Sequence, residues 1–99
     1  MKYEKYLLIK LAEEAAEVAQ AAIKCSLFGY DQKDPRETDG ETNVTKMMKE
    51  ILDMTAVMRE LAAVEKSGSE YSGIDEEQYI LGKQKKLNHY YNVISSQTS

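Results

Sequence analysis

From Tyr3 to Leu27 the chain carries neither glycine nor proline, and Tyr3, Leu7, Leu11, Ala15, Val18 and Ala22 recur at steps of three or four. On a helix of about 3.6 residues per turn, that spacing lines up one apolar stripe. It predicts a long, uninterrupted helix with one buried side. Gly29, just after Phe28, suits a C-terminal stop.

The fourteen residues from Tyr30 to Asn43 hold the only proline, Pro35, together with Gly40 and many turn formers. They read as a loop, long enough to cover a site. A second helix is predicted from Asn43, a good N-cap residue, to about Glu65. Its stripe is Met47, Ile51, Met54, Val57, Met58, Leu61 and Val64. Met47, Met48, Met54 and Met58 suit adaptable packing.

A second loop is expected over Lys66 to Gly73, and then a third helix. Asp75 as N-cap, with Gln78 three residues on, resembles a capping box. Tyr79, Leu87, Tyr90, Tyr91 and Ile94 are the candidates for its buried side, and the final SSQTS is expected to fray. No strand alternation stands out. The fold class is therefore all-α, an antiparallel bundle of three long helices.

At 99 residues the chain is expected to form one domain, 1–99, with a modest core that leans on a partner subunit. The net charge of −4 argues against a nucleic-acid polymer as partner. It leaves open a small phosphorylated substrate whose charge a metal ion offsets. The single cysteine, Cys25, forms no intrachain disulfide and reads as a small core residue. No apolar run approaches the ~20 residues that span a bilayer, and the N-terminus has no signal-peptide pattern. A cytoplasmic protein without membrane contact is expected.

The first helix also carries acid. Within LAEEAAEVAQAA lie Glu13, Glu14 and Glu17, among alanine and valine. Glu14 and Glu17 project from nearly one face, and Glu50 and Asp53 in KEILDM repeat that i, i+3 spacing. If the two helices pack antiparallel, four carboxylates converge. Without a cation they would repel and be costly to desolvate. All-oxygen ligation suits Mg²⁺, or Mn²⁺.

The alternative is a solvated acidic face. Lys10, Lys46 and Lys49 stand four residues before Glu14, Glu50 and Asp53 and could form ordinary ion pairs along each helix. Against it, both acidic pairs are interleaved with the apolar stripes, whereas a solvated face would usually lie opposite.

Other metal and phosphate chemistries fit poorly. No histidine follows either acidic pair, as a ferritin-like di-iron site requires. Counted as an EF-hand from Asp31, the loop has Arg36 where glycine is needed and Thr42 where the bidentate glutamate belongs. There is no Gly-rich phosphate loop.

EEAAE, Glu13 to Glu17, followed by EILD, Glu50 to Asp53, resembles the EExxE…ExxD signature of the MazG-like all-α nucleoside triphosphate pyrophosphohydrolases. The stretch from Lys10 to Gly29 is similar to the first helix of small MazG-like proteins, including those encoded by phages. The resemblance implies cleavage of an NTP or dNTP between its α and β phosphates, giving the monophosphate and pyrophosphate. It implies Glu14, Glu17, Glu50 and Asp53 as Mg²⁺ ligands, with Glu13 as a supporting acid. It places Lys10 and Lys46 at basic positions one turn before each acidic pair. In QKKLNHYY, Lys86 matches a phosphate-contacting lysine. Tyr90 stands where the family has an arginine, and Lys83 lies one turn before Lys86 as a substitute.

Two features depart from the family pattern. Thirty-two residues separate Glu17 from Glu50, a long gap that falls in the Pro35 loop. The family core has four helices where three are visible here. A short segment or a partner's helix would supply the fourth, which implies a homodimer or homotetramer with the site near the subunit interface. Phe28 and Tyr30 are candidates for stacking on the base. The competing function is a non-catalytic helical dimer that senses nucleotide or binds protein through the methionine-rich helix and the seven tyrosines.

Overall fold

The computed structural model describes residues 1–36, 40–64 and 74–98. The sequence periodicity is realised as three helices: α1 over Tyr3–Phe28, α2 over Asn43–Val64 and α3 over Glu76–Thr98. Among the described residues there is no strand, only an isolated antiparallel bridge between Lys33 and Thr42. The chain divides into two compact units, Met1–Lys66 with α1 and α2, and Ser67–Ser99 with α3. The loop expected over Lys66 to Gly73 lies outside the described residues.

In the first unit, α1 and α2 run antiparallel, pinned at both ends. At one end the Tyr3 hydroxyl donates to Glu60 Oε2 at 3.1 Å. At the other, Asn43 Nδ2 donates to the Gly29 carbonyl at 3.1 Å. Gly29 ends α1 as its sequence position predicts: its φ of 103° is open to glycine, and its N–H bonds to the Cys25 carbonyl at 3.1 Å. A Cβ there would stand 2.8 Å from Gln32 Cγ, so the glycine also lets Gln32 fold over the helix end.

The start of α2 corrects the expected cap. Thr42 Oγ1, not the Asn43 side chain, accepts a hydrogen bond from the Thr45 N–H, at 3.3 Å. Asn43 is buried instead, at 4% exposure, and its amide is spent on Gly29. The N–H groups of Asn43 and Val44 bond back to the Gln32 and Tyr30 carbonyls, which ties the loop to the helix it precedes.

The interface stripe on α1 is Leu7, Leu11, Glu14, Val18, Ala21 and Cys25, all buried or half-buried. Ala15 and Ala22, expected in the stripe, are exposed, as is Tyr3. A spacing of four and three continues through Glu14, which stands where an apolar residue would be expected. On α2 the covered positions include Val44, Met47, Glu50, Ile51, Met54, Val57 and Leu61, while Met58 and Val64 are exposed. Here too an acid, Glu50, occupies a stripe position.

The capping prediction for α3 holds: the Gln78 N–H donates to Asp75 Oδ1 at 3.2 Å. Glu76 and Glu77 occupy its first turn, at the positive end of the helix dipole. The side expected to be buried is not. Tyr79, Leu87, Tyr90, Tyr91 and Ile94 are all exposed. The helix runs on through the expected tail to Thr98, where Ser96 Oγ donates to the Val93 carbonyl at 2.8 Å. No helix among the described residues is long and apolar enough to cross a membrane.

Candidate functional site

Because α1 and α2 each place an acid in the facing stripe, the two meet across the helix pair. Glu14, Glu50 and Asp53 offer carboxylate oxygens that all lie within 4.8 Å of one another. Glu17, one turn beyond Glu14, lies close enough to Glu50 to hold its carboxyl above the usual range. All four acids singled out from the sequence thus gather at mid-helix, with Glu14 and Glu50 half-buried and Glu17 and Asp53 exposed.

The crowding has an electrostatic cost. Glu50 is raised above its ordinary value, first by its hydrogen bond to Glu17, then by lost hydration and by the charges of Glu17, Asp53 and Glu14. Glu14 is raised by lost hydration and by Glu17, Asp53 and Glu13, with Lys10 opposing. Both acids favour the protonated state because water is withdrawn and like charge is near. Glu14 Oε2 and Glu50 Oε2 are each shut off from water with no hydrogen-bond partner. Buried polar atoms are normally satisfied, so two orphan oxygens in one cluster need an explanation.

The chemistry of these residues is one that a hard cation could use. The donor set is all oxygen, and both orphan atoms belong to the cluster. Oxygens around Mg²⁺, at roughly 2.0–2.1 Å each, span at most about 4.2 Å, so the trio stands slightly open for that ion.

A hollow of about 450 Å³ opens beside the acids, bounded by Glu17, Glu50, Lys24, Lys46 and Lys49. Lys46 Nζ is buried there. Lys49 Nζ lies 2.6 Å from Glu41 Oε2 on the hollow's edge. The hollow therefore sets three carboxylates, Glu17, Glu41 and Glu50, beside three lysines, a lining suited to a metal-bearing polyanion.

Within the first unit, Lys10 and Glu13 stand at the edge of this group. Lys10 Nζ binds Glu13 Oε2 at 3.1 Å and sits 5.8 Å from the Tyr6 ring centroid, so Lys10 and Glu13 form an exposed pair at the flank. Lys83, Lys86 and Tyr90 lie on α3 at i, i+3 and i+7, on one face of that helix in the second unit. Tyr90 is 57% exposed, with its ring centroid 5.8 Å from that of His89. Lys24 and Lys49 are the lysines of the hollow that the motif did not assign to substrate. Their signal was helical spacing, since Lys24 follows Glu17 by two turns and Lys49 follows Lys46 by three residues.

Comparison with family models, with curated proteins and with solved structures finds no match for this chain.

Proposed function

We propose that the protein is a Mg²⁺-dependent pyrophosphohydrolase that splits an NTP or dNTP into the monophosphate and pyrophosphate. The observation that carries this reading is the pair of orphan carboxylate oxygens, on Glu14 and Glu50, facing each other beside a lysine-lined hollow. The resemblance of EEAAE and EILD to the MazG-like signature names the reaction class.

In this reading Glu14, Glu50 and Asp53 would hold Mg²⁺, with Mn²⁺ as a substitute, and Glu17 stands beside Glu50 at the edge of the set. Bound there, the ion offsets polyphosphate charge and polarises the phosphorus under attack. Lys24, Lys46 and Lys49 orient the polyphosphate and stabilise charge on the departing pyrophosphate. Glu17, exposed at the edge of the hollow, is placed to accept a proton from water. Glu13 acts through Lys10, whose charge it holds beside Glu14, and through its own charge on Glu14.

We also propose that two copies pair, as homodimer or homotetramer, to complete a four-helix core. Exposed apolar residues on α1 and α2, such as Ile23, Leu27, Leu52 and Met58, supply the surface for it. The setting is cytoplasmic, where Mg²⁺ and nucleotides are plentiful. The exposed tyrosines of α3 favour one second reading, a nucleotide-sensing or protein-binding dimer without turnover.

Incubation with Mg²⁺ and a panel of NTPs and dNTPs separates the two. The hydrolase releases pyrophosphate, and Glu14→Gln or Asp53→Asn abolishes release while helical content survives. Release untouched by both substitutions would end the assignment of the site. Nucleotide binding without release would favour the sensor.

A further inference from the structure

Beyond the acidic hollow, the end of α1 and the loop after it enclose a second one of about 380 Å³. Lys24 and Asn43 line both hollows, so the two are adjacent. We infer that the second hollow receives the nucleoside of the nucleotide whose polyphosphate lies in the first, with Phe28 as the face on which the base stacks. This rests on the pyrophosphohydrolase reading given above.

The two hollows differ in a way that assigns the ends of such a ligand. The first gathers metal-binding acids and three lysines, which suits polyphosphate. Besides Lys24 and Asn43, the second is walled by Phe28, Gln32, Lys33, Pro35 and the Asp34–Arg36 pair. Arg36 is already matched there: its Nε and Nη2 donate to Asp34 Oδ1 and Oδ2 at 3.0 and 2.9 Å. Its lining is the more apolar of the two, with an aromatic ring, a proline and an amide that suit a base, while Lys24 and Lys33 stand at its wall. Phe28 is 62% exposed in the last turn of α1, so its ring is accessible. It lies eleven positions beyond Glu17, about 16 Å along the helix at 1.5 Å per residue, which gives the ligand an extended course.

The wall is also preformed. The Arg36 N–H adds a third bond to Asp34 Oδ1 at 2.9 Å. Lys33 bridges to Thr42, and Asn43 and Val44 bond to the Gln32 and Tyr30 carbonyls. Gln32 lies over Gly29, where any Cβ would displace it. Its amide offers both donors and an acceptor to a base edge. A site that needs no rearrangement loses less affinity to ordering.

The test is calorimetric titration of the full chain, with Mg²⁺, by dNTPs and by inorganic tripolyphosphate. Wild type should bind its preferred dNTP more tightly than tripolyphosphate. Phe28→Ala should weaken dNTP binding roughly tenfold, the scale of one base–aromatic stack, and leave tripolyphosphate unchanged. Phe28→Trp should restore the dNTP affinity. Equal effects of Phe28→Ala on both ligands, no effect on either, or no wild-type preference for dNTP overturns the nucleoside site and leaves the acidic site standing. Failure of wild type to bind tripolyphosphate or any nucleotide overturns both.

Discussion

Glu14 on α1 and Glu50 on α2 occupy stripe positions that face each other across the helix pair, and one oxygen of each is buried without a hydrogen bond. An interface built for stability alone would carry apolar residues there. Two acids so placed weaken the fold unless something neutralises them, which makes stability and function separable by experiment.

Glu14→Gln and Glu50→Gln are expected to raise the melting temperature of the metal-free chain, because each removes a charge from a crowded, half-dehydrated cluster. The same substitutions should lower pyrophosphate release by at least ~100-fold, the upper end of what loss of a ligand's supporting partner costs. Thermal unfolding in chelator, beside a pyrophosphate assay, checks both. A fall in metal-free stability would refute the electrostatic account.

The same cluster predicts a pH dependence with a definite sign. Glu14 and Glu50 have folded-state values raised above the ordinary 4.5, so the native chain retains protons that the unfolded chain has released. Stability from this source is fully present below 4.5 and is lost as pH rises through the raised values. In chelator, the difference in stability between wild type and a Glu14→Gln/Glu50→Gln variant should widen from about pH 5 to about pH 7. Saturating Mg²⁺ should close it. Denaturant titrations at the two pH values decide the matter.

Asn43→Ala should cost about 1–3 kcal/mol, because it leaves the Gly29 carbonyl unmatched at a buried position. For a domain this size each kcal/mol lowers the melting temperature by roughly 4–8 °C. Thr42→Ala removes only the exposed cap at 3.3 Å and should cost about 1 kcal/mol or less. The reverse ranking would restore Asn43 as the cap.

Lys46→Met should raise KM for the nucleotide at least about tenfold, as loss of a contact to a charged group implies. Its Nζ is buried at the hollow, whereas Lys10 is engaged with Glu13 at the flank. Lys10→Met should therefore change KM less than Lys46→Met does, and steady-state kinetics on the two variants gives the order.

Much of this was written in local spacing. Apolar periodicity marked α1 and α2 to within a residue or so, Gly29 marked the end of α1, and Asp75 with Gln78 marked the start of α3. The i, i+3 acids picked out the residues that meet, because helical geometry puts such pairs on one face whatever the rest of the molecule does.

Contacts distant in sequence decided the rest. The bonds from Asn43 and Val44 to Gly29, Gln32 and Tyr30 anchor α2 on the end of α1 and help set which turn of α1 faces which turn of α2. That register puts Glu14 and Ala21, rather than Ala15 and Ala22, in the interface, leaves Glu13 at the flank with Lys10, and brings Lys24 and Lys49 to the hollow. Periodicity states that a helix has a covered side. Which residues across the interface oppose a given acid depends on how a separate helix is anchored, and spacing within one helix carries no record of that.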